Sequence, residues 1–155
     1  MNQAERLAIL IQTEKYLLES KKWLLHSYNI CSDIGKKNHY SIEEMDAFEA
    51  LSSRFARSSD ILIQQMLRTI SLIELEPEGS VLDRINRAEK RGFIHSAQDL
   101  KNIREIRNAI VHEYQQDDII QLFHDILEYT PTLLETIEST LAYIKKYTGE
   151  RSSGF

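Results

Sequence analysis

Only five glycines and two prolines interrupt this 155-residue chain, and apolar residues recur at helical spacing through the long stretches between them. That scarcity of punctuation constrains the fold more than any other feature, because a sheet protein of this size needs many tight turns. The pattern predicts an all-α chain, an antiparallel bundle of about five helices. A first helix is expected over residues 2–28, burying Leu7, Leu10, Ile11, Leu17, Leu18, Leu24 and Leu25, with Trp23 and Tyr28 packing near its end. After a connector through Tyr40, Ser41 and Glu44 have the spacing of a capping box. The second helix then runs to Ile73 or Glu74. Its predicted core is Leu51, Phe55, Leu62, Met66, Ile70 and Ile73, and its solvated face carries Arg54, Arg57, Asp60, Gln64 and Arg68.

Glu76-Pro77-Glu78-Gly79 ends that helix, and Ser80 caps a short one to Lys90 with Val81, Leu82 and Ile85 as its apolar contacts. Arg91-Gly92 breaks it. Ser96, with Asp99 three residues on, starts a fourth helix whose end is expected just after His112 or Tyr114, because Gln115-Gln116-Asp117-Asp118 reads as a turn. A fifth helix over 118–147 must absorb Pro131 by a kink or an interruption. Residues 1–148 form one domain in this reading, and 149–155 a flexible tail.

A net charge of -5 argues against bulk electrostatic coating of nucleic acid. The charge is uneven, however. Between Ser80 and Arg107 the bases Arg84, Arg87, Lys90, Arg91, Lys101, Arg104 and Arg107 outnumber Asp83, Glu89, Asp99 and Glu105, a local balance compatible with a phosphate-bearing ligand. Cys31 is the only cysteine, which excludes an internal disulfide and a thiolate metal cluster. The five histidines lack metal-ligand spacing, and neither a Gly-x-x-x-x-Gly-Lys loop nor a Gly-x-Gly-x-x-Gly turn is present, so no metal and no cofactor are expected. No apolar run approaches the roughly 20 residues of a membrane helix, and the N-terminus has no signal-peptide pattern. A cytoplasmic location, without membrane association, is the resulting expectation.

The chemically capable stretch is Arg107-Asn108-Ala109-Ile110-Val111-His112-Glu113-Tyr114. On a helix, Arg107 shares a stripe with Leu100, Ile103 and Ile110, which puts it in the middle of the apolar arc. It therefore requires a carboxylate, a phosphate or a solvated interface in front of it. His112 lies five residues on, roughly 140° around a straight helix, so the two do not converge unless the helix ends or a second copy completes the site. Asn108, four residues before His112, can touch it. Arginine to hold a phosphate, histidine to move protons near neutral pH and asparagine to support either could together cleave RNA without metal, the ribose 2′-hydroxyl being the nucleophile. On the residues alone, the same pattern also reads as Arg107 in a buried ion pair, His112 as a helix cap and Tyr114 as a core residue.

The stretch Arg107 to Tyr114 resembles the R-x4-H-x-Y motif of the HEPN superfamily and looks like that of HepT-type toxins, which pair with MNT nucleotidyltransferase antitoxins in type VII toxin–antitoxin systems. Long helices flanking a late motif are also that family's arrangement. The resemblance implies a homodimeric toxin ribonuclease with motifs from two protomers facing one cleft, and an RNA substrate, with tRNA as one candidate. By the same resemblance Arg107 binds the scissile phosphate, His112 is general acid or base, Asn108 supports the site, and Tyr114 is the hydroxyl to which the cognate MNT antitoxin transfers AMP. A different class remains open: a non-catalytic helical substrate-binding partner subunit of a nucleotidyltransferase.

Overall fold

The computed structural model describes the backbone of residues 1–112 and 116–153, and the side chains of 1–112 and 118–149. Every regular element among them is helical. Helix α1 (Gln3–Ile34) starts from an Asn2–Glu5 capping box and buries one narrow seam: Leu10, Thr13, Leu17, Ser20, Leu24, Ser27 and Cys31. The alternating three- and four-residue steps keep this seam on one side of the helix, and α2 (Ile42–Asp60) is the element that α1 meets most. Small hydroxyl residues allow close approach here. Ser58 Oγ donates to Ser20 O at 3.4 Å across the seam, Ser27 Oγ accepts from Arg54 Nη1 at 2.6 Å, and Ser20 and Ser52 satisfy their hydroxyls within their own helices, donating to Leu17 O at 3.0 Å and Phe48 O at 2.8 Å.

The strictness of that seam corrects the sequence reading of α1. Leu18 and Leu25 follow Leu17 and Leu24 by one residue, about 100° around the helix, and are 49% and 43% exposed. Trp23 precedes the seam by the same angle and is likewise exposed, its indole N–H donating to Glu19. The helix also runs beyond the expected end at Tyr28, because Cys31 continues the seam until Gly35, at φ 78°, turns the chain out.

Helix α2 begins at the expected Ser41–Glu44 capping box, where Ser41 Oγ accepts from Glu44 N at 3.1 Å. It continues without interruption through a π-helical segment, Ile61–Met66, into α3 (Leu67–Ile73). The three form one rod, and the expected core residues Leu51, Phe55, Leu62, Met66, Ile70 and Ile73 are all buried. Helix α4 (Val81–Lys90) starts at a Ser80–Asp83 capping box; it buries Ile85 and Ala88 but leaves Leu82 exposed. Helix α5 (Ala97–Val111) is capped by Ser96. Helix α6 (Gln116–Ser153) carries Pro131 inside it and extends past Tyr147 into the stretch expected as a tail. Counting the rod once, five helical segments surround one core. Phe48 and Phe123 stack at 5.1 Å near one end, and at the other the buried carboxylate of Glu74 accepts the hydroxyls of Tyr143 and Tyr147. No helix among the described residues is long and apolar enough to cross a membrane.

Candidate functional site

Leu100, Ile103 and Ile106 direct α5 onto the core, and the next residue after Ile106, Arg107, lies on the flank of that face. The arginine is therefore at the edge of the apolar arc and not in its middle; 31% of its side chain remains exposed. The carboxylate demanded by its position is Asp60. Arg107 Nε donates to Asp60 Oδ1 at 2.6 Å and Nη2 to Oδ2 at 3.1 Å, the fork-to-fork geometry that orients a guanidinium most firmly. The third nitrogen, Nη1, donates to Asn108 Oδ1 at 3.3 Å.

Asp60 is the last residue of α2 before the π-helical segment opens the backbone spacing, with Leu67 N–H donating to Leu62 O in the i to i+5 manner. Such π segments frequently accompany functional sites. Around the Arg107–Asp60 pair, Ser59, Ile63, Gln64, Arg104 and Asn108 line an open cleft of about 300 Å3.

His112 stands where α5 ends. Its φ of -93° and ψ of 149° carry the chain out of the helix, its N–H still donates to Asn108 O at 3.2 Å, and its imidazole is exposed. The helix thus stops at Val111, one residue before the earliest expected end. Asn108 joins the two motif residues: its side-chain oxygen receives Arg107, while its backbone carbonyl receives the amide of His112. Tyr114, the fourth site residue, lies outside the described residues. Among the described residues no cluster of histidine, cysteine and carboxylate side chains could hold a metal ion.

The polar face of the rod was legible as a solvated surface but not as a groove. Arg57, Asp60 and Gln64 recur at i, i+3 and i+7 and each is shared by two adjoining depressions. One, of about 410 Å3, lies between Tyr16 and the Arg57–Asp60 stretch; another, of about 480 Å3, lies under Trp23 and Arg54, whose guanidinium is 5.1 Å from the indole ring. The Asp60 partnership likewise had no local signal. It joins residues 47 positions apart, and only the need of Arg107 for an acid announced it.

Two geometric elements of the non-catalytic sequence reading are therefore present, an ion-paired Arg107 and a capping His112. Unlike a buried structural pair, however, this one borders an open cleft, and the imidazole is free to solvent. Comparison with family profiles, with characterised proteins and with solved structures finds no match for this chain.

Proposed function

We propose that the chain is a HEPN-type toxin ribonuclease that acts as a homodimer and is silenced by AMPylation of Tyr114. The observation that carries the reading is the arrangement of the Arg107–His112 motif, with a guanidinium held in a fixed orientation at an open cleft and a solvent-accessible imidazole at the adjoining helix end. In the reaction, the 2′-oxygen of a ribose attacks the neighbouring phosphorus, the P–O5′ bond breaks, and a 2′,3′-cyclic phosphate is left. Arg107 exchanges Asp60 for the phosphate and stabilises the charge that builds on its oxygens. The 2′-hydroxyl proton must be removed and the 5′-oxygen must receive one; two copies of His112 across a two-fold axis supply one group for each task.

Control follows from the same motif. A cognate MNT nucleotidyltransferase forms a bond between the Tyr114 phenol oxygen and the α-phosphorus of ATP, and pyrophosphate leaves. The added AMP brings bulk and negative charge to the place the RNA phosphate must occupy.

The Asp60 clasp favours a second reading. A guanidinium already satisfied by a carboxylate suits a non-catalytic helical partner subunit of a nucleotidyltransferase, in which Arg107 serves only to fix α5 against α2. Cleavage of RNA by the purified chain in the presence of EDTA separates the two. The ribonuclease reading expects cleavage that is lost in His112→Ala while the thermal unfolding midpoint stays within about 2 °C of the original, since an exposed cap side chain contributes little to stability. No cleavage by the original chain, with binding to the nucleotidyltransferase retained, establishes the second.

A further inference from the structure

Gln64 is shared by the Arg107 cleft and a depression of about 340 Å3 further along the rod. Three guanidiniums meet there, Arg68 from α3 and Arg84 and Arg87 from α4. Backbone carbonyls of the turn before α4 hold two of them: Arg84 Nη1 donates to Gly79 O at 2.9 Å and Arg87 Nη1 to Pro77 O at 2.8 Å. The nearby acids are largely committed. Glu76 is divided between Arg87 Nε at 3.4 Å and Arg91 Nε at 3.2 Å, and the Asp83 carboxylate accepts the Ser80 amide at 2.9 Å within the capping box. Glu78 also borders the depression.

Arg68 and Arg84 form no ion pair among the described residues. Arg84 Nε is buried and has no hydrogen-bond partner there. Burial, followed by the like charges of Arg68 and Arg87, pushes the Arg84 guanidinium pKa down from its ordinary value. Gathering these cations is unfavourable by itself, and a buried N–H without an acceptor adds to the cost. An oxyanion with several acceptor oxygens relieves both, and the planar forks of arginine fit a phosphate bidentately.

We propose that the Arg68–Arg84–Arg87 depression is a phosphate subsite for the RNA strand, engaging a phosphate on the same strand as the one cleaved at Arg107. This rests on the ribonuclease reading. Arg68 lies eight residues along the rod from Asp60, the residue that Arg107 grips, an axial separation on the order of 10 Å that suits a second phosphate of the strand beside the one at Arg107. The subsite is therefore engaged in the ground state and the transition state alike, and its removal falls on KM.

The test uses the full chain and two probes: a single-stranded 2′-O-methyl oligoribonucleotide, which lacks the nucleophile, for binding across a salt series, and the all-ribose oligonucleotide for kinetics. Arg68→Gln, at an exposed position, avoids misfolding; Arg68→Gln with Arg84→Gln is the stronger variant, and Arg68→Lys with Arg84→Lys retains charge. Expected results are a salt slope shallower by about 0.7 in the double Gln variant, the change that follows when one phosphate of a single strand is no longer neutralised, a roughly tenfold rise in KM, and partial rescue by lysine. RNA bound and cleaved with unchanged slope and KM overturns the subsite and leaves the ribonuclease reading standing. A loss carried by kcat with KM unchanged also overturns it. An original chain that neither binds nor cleaves RNA overturns the ribonuclease reading, and the subsite with it.

Discussion

The Arg107–Asp60 pair can be weighed directly by a double-mutant cycle with Asp60→Ala, Arg107→Ala and both together. Two unit charges about 4 Å apart at an effective dielectric constant of about 20 attract by about 4 kcal/mol before other costs. Here 31% and 37% of the two side chains face solvent, and fixing both side chains removes rotamer freedom, so most of that attraction is offset. Bidentate geometry places the remainder at the upper end of the range for exposed pairs, giving a coupling of about 1 kcal/mol. Asp60→Ala alone understates it, since alanine gains about 0.5 kcal/mol of helix propensity inside the rod; the cycle cancels this contribution. Thermal unfolding followed by circular dichroism is the assay, with about 2–4 °C expected for each kcal/mol in a domain of this length. In 1 M salt, where the Debye length is about 3 Å, the coupling should shrink. A coupling below about 0.3 kcal/mol refutes the clasp in solution, and one above about 3 kcal/mol refutes the partly solvated environment.

Incubation with the cognate nucleotidyltransferase, ATP and Mg2+ should add AMP to Tyr114 and suppress cleavage, while Tyr114→Phe should stay active and unmodified in intact-mass and peptide mapping. AMP found on another residue removes Tyr114 from this role. Cys31 is fully buried with its thiol directed at Ala47 O, and burial pushes its pKa up from 9.0 to about 11. The folded state favours the neutral thiol, so stability holds below about pH 9 and is lost as pH climbs towards 11. Comparison of urea midpoints with Cys31→Ala across that window should show the slope only in the original chain. Sedimentation at micromolar concentration should give a dimer, and a monomeric chain that still cleaves RNA would defeat the two-fold arrangement.

The helix boundaries were legible wherever a side chain or a glycine punctuates the chain. Ser41–Glu44, Ser80 and Ser96 each cap the expected helix through a local contact spanning three residues, and Gly92, at φ 84°, ends α4 where Arg91-Gly92 indicated. Burial was legible on the rod, where bulky apolar residues recur at helical spacing, and less so on α1, whose seam is built partly from Thr13, Ser20 and Ser27. Counting leucines drew Leu18 and Leu25 inward, whereas close helix approach selected small hydroxyl residues in their place. The π-helical segment left no recognisable mark in Ile61-Leu62-Ile63-Gln64-Gln65-Met66. Nor did the groove: Arg57, Asp60 and Gln64 form a polar stripe in sequence, but its depth comes from α1 and α5 standing on either side.

Within one protomer, Asn108 ties both motif residues to α5 yet sends them apart. Its side-chain oxygen keeps Arg107 on the side of the rod, and its backbone carbonyl holds the last amide bond before His112 leaves the helix in an extended conformation. Five residues of helix separate the two by roughly 140°, so a phosphate seated in the Arg107 cleft is approached by its own histidine only if residues beyond Val111 fold back. A second copy needs no such rearrangement: an exposed histidine at a helix terminus is geometrically free to enter another protomer's cleft. If the proposed ribonuclease works in this way, Asp60 gains a role that a purely structural partner lacks. In the ribonuclease reading it holds the guanidinium in its fork orientation until the phosphodiester takes its place, and the exchange is favoured as the pentacoordinate transition state gathers more negative charge than one carboxylate carries.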